Sequence, residues 1–262
     1  MIHRIYKEYI KSLFDPVEKE YLKINGQEGY KSRLYIPNER SKKLPLIVAF
    51  HGAGSRGSEN RLQIRKKVAV TNIWLRYQRQ YPCYVYAPQC RLKERWIETD
   101  WHKGNYDFED INASKSFEEV EKTLEAILGH YDIDLNRIYI VGNSMGGFAV
   151  WYFLIKNPNL FAAALPICGG GDCKKIERLR NVPIWTCHGM LDTEIPVEAT
   201  RQLYNALVNC GGNIQYTEYS ELGHNVWDAF LQGNEGNNEV IEWLFAQSKE
   251  KRDNGVLSAP NK

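Results

Sequence analysis

At residues 142–146 the chain reads Gly-Asn-Ser-Met-Gly. A serine hydroxyl becomes a useful nucleophile only when a base takes its proton and hydrogen-bond donors hold the oxyanion that its attack creates. The local sequence suits both needs. The apolar, β-branched run Arg137-Ile138-Tyr139-Ile140-Val141 predicts a strand, and Gly147-Phe148-Ala149-Val150-Trp151-Tyr152-Phe153-Leu154 predicts a helix. Glycine-sized neighbours let strand and helix close around a sharp turn. Such a turn pushes the serine hydroxyl outward and aims the N–H groups of the helix N-terminus at the same place. Ser144 is thus the candidate nucleophile, and the N–H of Met145 a candidate oxyanion donor. G-x-S-x-G also occurs in ordinary glycine-rich turns, so its partners decide whether it does chemistry.

A base and an acid are needed, in that case on loops that follow later strands. Val182–Gly189 reads as a buried strand, and the loop leaving it offers Asp192. Asn213–Ser220 alternates as the next strand, and the turn after it offers His224. His188 precedes Asp192 on the same crossing and is expected to pack beneath the site. Glu194 and Asp172 compete with Asp192 for the acid role, Asp172 because it follows the preceding strand Ala162–Cys168. Nearer the start, His51-Gly52-Ala53-Gly54 leaves the strand Leu46–Phe50. A loop of this composition can turn a backbone N–H, that of Ala53, toward an acyl oxygen, with His51 bracing the loop.

These pieces, together with Ala87-Pro88-Gln89-Cys90 and Gly223-His224-Asn225-Val226-Trp227, carry a family likeness. From about residue 19 to about Trp243 the chain resembles the serine-esterase branch of the α/β-hydrolases. That branch includes feruloyl and acetyl xylan esterases, polyhydroxybutyrate-depolymerase-like esterases and proteins labelled predicted peptidases. The resemblance implies the α/β-hydrolase fold and a triad of Ser144, His224 and Asp192, with no metal and no organic cofactor. It also implies carboxylic-ester hydrolysis through an acyl-enzyme, on carbohydrate-linked or aryl esters of feruloyl or acetyl type. The expected partner is a small ester or an esterified polysaccharide or oligosaccharide. A serine peptidase of the same fold and a noncatalytic hydrolase-like binding protein are the alternatives. Amide cleavage demands more leaving-group assistance, and a complete Ser, His and Asp set speaks against a scaffold that only binds.

The elements that must position these residues alternate along the chain. After an antiparallel opening pair, Lys19–Ile24 and Ser32–Ile36, come the strand Leu44–Phe50, a helix over Leu62–Tyr81, the strand Cys83–Ala87 and a helix over Ser114–Tyr131. A polar turn, Asp132–Asn136, leads into the strand at Arg137–Val141, and further helices are predicted over Gly147–Lys156, Val197–Asn209 and Asn237–Ser248. Such alternation predicts an α/β fold, a mostly parallel central sheet with helices on both faces. Residues 1–248 are expected to form one domain, and Lys249–Lys262 a disordered tail. One stretch, about residues 90–112, lacks periodicity and is rich in aromatics. A loop that long inside a compact domain is usually functional. It is expected to act as a lid-like wall, with Trp96, Trp101 and His102 binding substrate together with Trp227 beyond the base.

Composition narrows the partners. Lys plus Arg number 34 against 32 Asp plus Glu, a formal net charge of +2, so no global field favours nucleic acid or an anionic membrane. The basic residues between Arg56 and Lys67 are expected to be the solvated face of a helix. No window approaches the roughly 18 apolar residues of a membrane span. The N-terminal residues lack an apolar leader core, which predicts a cytoplasmic protein as the sequence stands, or a secreted one if a leader was removed. The 6 cysteines are expected to be reduced, and the Cys168/Cys173 spacing has no second pair with which to build a zinc site. A homodimer is left open.

Overall fold

The computed structural model describes residues 21–26, 29–39, 42–65, 69–232 and 238–253. The start of the first predicted strand, Lys66 and Lys67 of the basic cluster, Asn237 and the tail from residue 254 lie outside the described residues. Eight strands form one sheet: β1 Tyr21–Asn25, β2 Lys31–Tyr35, β3 Leu44–Phe50, β4 Tyr84–Pro88, β5 Ile133–Asn143, β6 Ala163–Ile167, β7 Ile184–Gly189 and β8 Ile214–Tyr219. Their order is β1-β2-β4-β3-β5-β6-β7-β8. The β1/β2 and β2/β4 pairs are antiparallel, and every later pair is parallel.

β3 is buried along its whole length because helices cover both sheet faces, which is why it reads as a nearly unbroken apolar run. Its alternate side chains feed two cores. Leu46, Val48 and Phe50 pack with α2 (Lys115–His130), α3 (Met145–Lys156) and α4 (Val197–Asn209). Ile47 and Ala49 face the other side, with α1 (Ala69–Arg76), α5 (Trp227–Gln232) and α6 (Glu239–Ala246). α2 starts where Ser114 caps it, its hydroxyl accepting from the N–H of Phe117, and Asn238 caps α6 in the same way on Ile241. α3 is buried on every side, and its sequence is accordingly apolar all round up to Lys156. Among the described residues no helix is long and apolar enough to cross a membrane.

The departures from the sequence pattern have local causes. The helix expected over Leu62–Tyr81 is split into a 3-10 turn at Leu62–Ile64 and α1. The side chain of Thr71 donates to the carbonyl of Gln63, and that of Asn72 to the carbonyl of Ile64, each eight residues back. In a continuous helix those groups would be about 12 Å apart along the axis, so the two pieces do not belong to one helix. β5 begins at Ile133 and not at Arg137, because Ile133 pairs with Leu44 and a register shift between Leu44 and Leu46 takes up the extra residues. The predicted polar turn survives as that irregularity, with the N–H of Asn136 and the guanidinium of Arg137 both donating to Asp134. α5 was not expected as a helix; its Phe230 and Leu231 are core residues. Lys249–Asp253, expected to be disordered, forms a short helix, α7.

The turn from β5 into α3 is sharp and closely packed. Ser144 sits at φ 56°, and the N–H of Ser144 donates to the Ile167 carbonyl of β6 at 2.9 Å. A Cβ on Gly142 would run into the carbonyl of Gly146, and one on Gly146 into the carbonyl of Phe50. Gly146→Ala should therefore destabilise the fold by about 3 kcal/mol or more. Gly129→Ala on α2, where a Cβ meets nothing within 4 Å, should instead stabilise it by about 0.5–1 kcal/mol. Urea unfolding of the two variants checks this, and equal midpoints would contradict the close approach.

Candidate active site

Three strand ends converge on Ser144. Nε2 of His224 lies 2.9 Å from Ser144 Oγ, and His224 Nδ1 lies 2.7 Å from Asp192 Oδ2. Asp192 accepts only, so Nδ1 carries the ring proton and Nε2 faces the serine hydroxyl as acceptor. Asp192 follows β7, held by the loop itself: its Oδ1 accepts from the N–H groups of Glu194 and Ile195 at 2.8 and 3.0 Å. Burial opposes the charge on Asp192, but donors from His188, His224 and the Ile195 N–H outweigh it and hold the carboxyl well below the usual carboxylate range. The group is therefore an anion near neutral pH.

The loop after β3 lies over the serine. A Cβ placed on Gly52 would be 3.5 Å from Ser144 Cβ. Ala53 lines the cleft around Ser144, and Met145 is the first residue of α3. Among the described residues neither the N–H of Ala53 nor that of Met145 is engaged by a protein acceptor. His51 braces this loop from below. The Cys90 N–H donates to its Nε2 at 3.0 Å, so the ring proton is on Nδ1 and is donated to the Gly52 carbonyl at 2.7 Å. Burial, with Arg56 and Arg65 nearby, pushes His51 down from 6.5 to about 4. The carbonyls of Ala53 and Gly54 accept from the guanidinium groups of Arg56 and Arg65 respectively.

A cleft of about 390 Å³ opens onto these groups. Its walls include Trp101, Trp227 and Glu194, the last considered above only as a rival acid, and also Arg65, Ile195 and Asn225, to which the sequence pattern gave no role in the cleft. Trp227 meets the His224 ring edge-on at 5.6 Å between centroids, and the guanidinium of Arg95 covers one face of Trp101 at 4.2 Å.

Two predicted substrate residues are not in the wall. Trp96 is fully buried, packed edge-on against Phe50 and donating its Nε1–H to the His51 carbonyl at 3.0 Å, so it supports the loop after β3 from inside the core. His102 is exposed and lies outside the residues that line the cleft. The loop that carries them is not a free lid. Phe108 stacks on Tyr152 at 4.8 Å, Tyr106 donates its N–H to Gly171, and Asn105 ties to Ala199 and Gln202 of α4.

Asp172, the rival acid, is buried within that anchorage. Its carboxylate accepts from the N–H groups of Phe108, Lys174 and Lys175 and makes no bond to His224. Glu194 lines the cleft, and only its backbone N–H reaches Asp192. All 6 cysteines are unpaired. Cys168, Asp192 and His224 bring possible ligand atoms within 4.8 Å of one another. Asp192 and His224 already satisfy each other, and burial pushes the Cys168 thiol well up, so this set is a poor match for a cation.

The fold agrees with comparison to known proteins. The chain belongs to the phospholipase/carboxylesterase family, whose model matches residues 32–235. It is similar to a thermostable esterase of known structure, with 37% identity and a TM-score of 0.78 over 88% of this chain and 64% of that one. It is 31% identical over 83 residues to a bifunctional acetylxylan esterase/xylanase of Neocallimastix patriciarum, covering 32% of this chain and 12% of that protein. The chain thus spans less than two thirds of either relative. A fluorophosphonate-binding serine hydrolase F of Staphylococcus aureus shares the fold, with 12% identity and a TM-score of 0.60 over 86% of this chain and 96% of that one.

His51 gives this site a signature in stability. A histidine whose folded value lies below its unfolded one contributes stability that is complete above about pH 6.5 and is lost as the pH falls toward 4. The contribution is on the order of 3 kcal/mol. Urea midpoints should fall across that window in the wild type. In His51→Gln, which keeps a polar side chain but cannot titrate, the same window should be nearly flat.

Proposed function

We propose that this chain is a serine carboxylic-ester hydrolase working through an acyl-enzyme, with Ser144 as nucleophile, His224 as general base and acid, and Asp192 as the group that orients His224. The observation that carries this reading is the unbroken line from Ser144 Oγ to His224 Nε2 and from His224 Nδ1 to Asp192 Oδ2, at 2.9 and 2.7 Å. Ser144 attacks the ester carbonyl while its proton passes to His224 Nε2. Asp192, already an anion, stabilises the imidazolium so formed. The carbonyl oxygen gains a negative charge, and the N–H groups of Ala53 and Met145 are the donors that receive it. Collapse of the tetrahedral species expels the alcohol, which takes the proton from His224. Water then repeats the sequence on the acyl-serine and releases the acid.

The substrate class follows from the cleft and the relatives together. Trp101 and Trp227 offer flat apolar faces beside the serine, which suit an aromatic acyl group or a sugar ring better than a flexible chain. Similarity to an acetylxylan esterase/xylanase over 83 residues points the same way. Feruloyl-type or acetyl-type esters of carbohydrates are therefore the proposed substrates, turned over in a single α/β domain.

Ser144→Ala should lower kcat by roughly a thousandfold or more on any ester that turns over, with the fold intact. Asp192→Asn should also be crippling, whereas Asp172→Asn should mainly lower the melting temperature. A folded Ser144→Ala protein with near-normal turnover would falsify the mechanism. For specificity, Trp101→Ala and Trp227→Ala should each reduce kcat/KM for methyl ferulate by roughly tenfold. The acetyl group of nitrophenyl acetate has no ring to stack on these faces, so this ester should be affected much less. Equal losses on both substrates would make the two tryptophans supports of the triad and not its specificity surface.

A further inference from the structure

A second histidine stands behind Asp192. His188, near the end of β7, is fully buried. Its Nε2 lies 3.0 Å from Asp192 Oδ2 and 3.1 Å from the Ile195 carbonyl. Both are acceptors, so Nε2 carries a proton and donates. Its Nδ1 is 2.7 Å from Thr200 Oγ1 on α4, which fixes the ring from the opposite side. The Asp192 carboxylate therefore receives four hydrogen bonds: backbone N–H groups of Glu194 and Ile195 on Oδ1, and His224 and His188 on Oδ2. A carboxylate has about four acceptor sites, and all are filled.

We propose that His188 is a positioning residue for the proposed triad, fixing the plane of the Asp192 carboxylate and drawing off part of the charge that Asp192 presents to His224. The inference rests on the reading of Ser144, His224 and Asp192 given above. Two physical effects separate His188 from ordinary packing. Rotation of the carboxylate would break bonds on both oxygens, so the direction of Oδ2 toward His224 Nδ1 is locked. Two donors on one oxygen also share its charge, so the imidazolium formed during turnover feels a weaker anion than it would in a simple pair.

The surroundings leave this balance to His188. From β8, Glu218 lies opposite His188 in register; it is exposed and bound to Arg201 of α4 through two contacts at 2.6 and 2.8 Å, and because Arg201 also pairs with Glu198 the cluster keeps one negative charge at the surface, with no hydrogen bond to Asp192. From β6 and β7, Cys168 and Cys187 are pushed up by burial and stay protonated. Glu194 is exposed at the border of the cleft and joins the network only through its backbone N–H.

The test uses the full chain and a nitrophenyl ester, with kcat, KM and the pH profile of kcat/KM measured for the wild type, His188→Leu and His188→Gln. The glutamine amide nitrogen reaches the position of Nε2, whereas leucine removes the donor. His188→Leu should lose roughly thirtyfold in kcat with KM within about twofold, and its acidic limb should move to higher pH, because Asp192 then holds the imidazolium more strongly. His188→Gln should recover kcat to within about threefold of wild type and restore the limb. Thr200→Val lets the ring tilt without removing it and should give the same signs at smaller amplitude, which keeps the test open if the leucine variant does not fold. An unmoved limb, or losses in the leucine and glutamine variants that are equal and follow melting temperature, would overturn the proposal. Failure of the triad reading itself looks different: a wild type without turnover, or turnover that survives Ser144→Ala.

Discussion

The close approach of Gly146 to the Phe50 carbonyl is the contact from which the rest of the site takes its place. Phe50 ends β3, and the chain continues directly into His51, Gly52 and Ala53. Gly146 belongs to the first turn of α3, directly after Ser144. When these two backbones touch, the loop that offers N–H groups and the turn that offers the hydroxyl are fixed relative to each other with no side chain between them. Side-chain packing alone could not set that distance so firmly, because rotamers yield by tenths of an ångström and backbone does not. The strained φ of Ser144 is the local cost of this arrangement, and the surrounding strands impose it. Parallel pairing of β3, β5, β6, β7 and β8 then brings the remaining groups to the same sheet edge.

A second constraint is electrostatic. Taking a carboxylate out of water is expensive unless its acceptor sites are filled. Asp192 meets that condition with two backbone donors from its own loop and two imidazole donors. The backbone pair explains why the loop Met190–Pro196 is tight, and the imidazole pair explains why His188 and His224, distant in sequence, share one oxygen. His51 illustrates the opposite solution. It is buried near two arginines and stays neutral, so that one nitrogen can accept while the other donates. One histidine braces the loop after β3, one donates to Asp192 and one faces the serine. The three roles follow from what each ring nitrogen meets.

Much of this was legible in the residues. Ser144, Asp192 and His224 each sit directly after an apolar strand pattern, and parallel strands bring their carboxyl ends to one edge, so chain order translated into proximity. The Cβ clearance at Gly142 and Gly146 is likewise written in the residue type. The fourfold coordination of Asp192 was less visible. The spacing of four between His188 and Asp192 is a clue, but the partner on the far side, Thr200, comes from a helix whose rotation the sequence does not give. The split of the Leu62–Tyr81 helix was hidden for a related reason: Thr71 and Asn72 are acceptable helix residues, and only their contacts eight residues back show that the two pieces are not one helix.

The aromatic loop was the hardest segment to read, because aromatic residues serve a cleft and a core equally well. The same composition supports both, and what separates them is the partner of each polar edge. Trp96 donates its indole N–H to the His51 carbonyl and is enclosed. Tyr106 and Phe108 stack on residues of α3. Trp101 has a cation over one face and borders the cleft with the other elements of the wall. The loop is thus mostly foundation, fastened to Gly171, Asp172 and α4, and a small part of it reaches the cleft. That division has a functional consequence under the proposed mechanism. A wall built on a fixed base presents Trp101 at a set distance from Ser144. Discrimination among esters then comes from shape and stacking in a preformed cleft, with little ordering left to be done when substrate arrives.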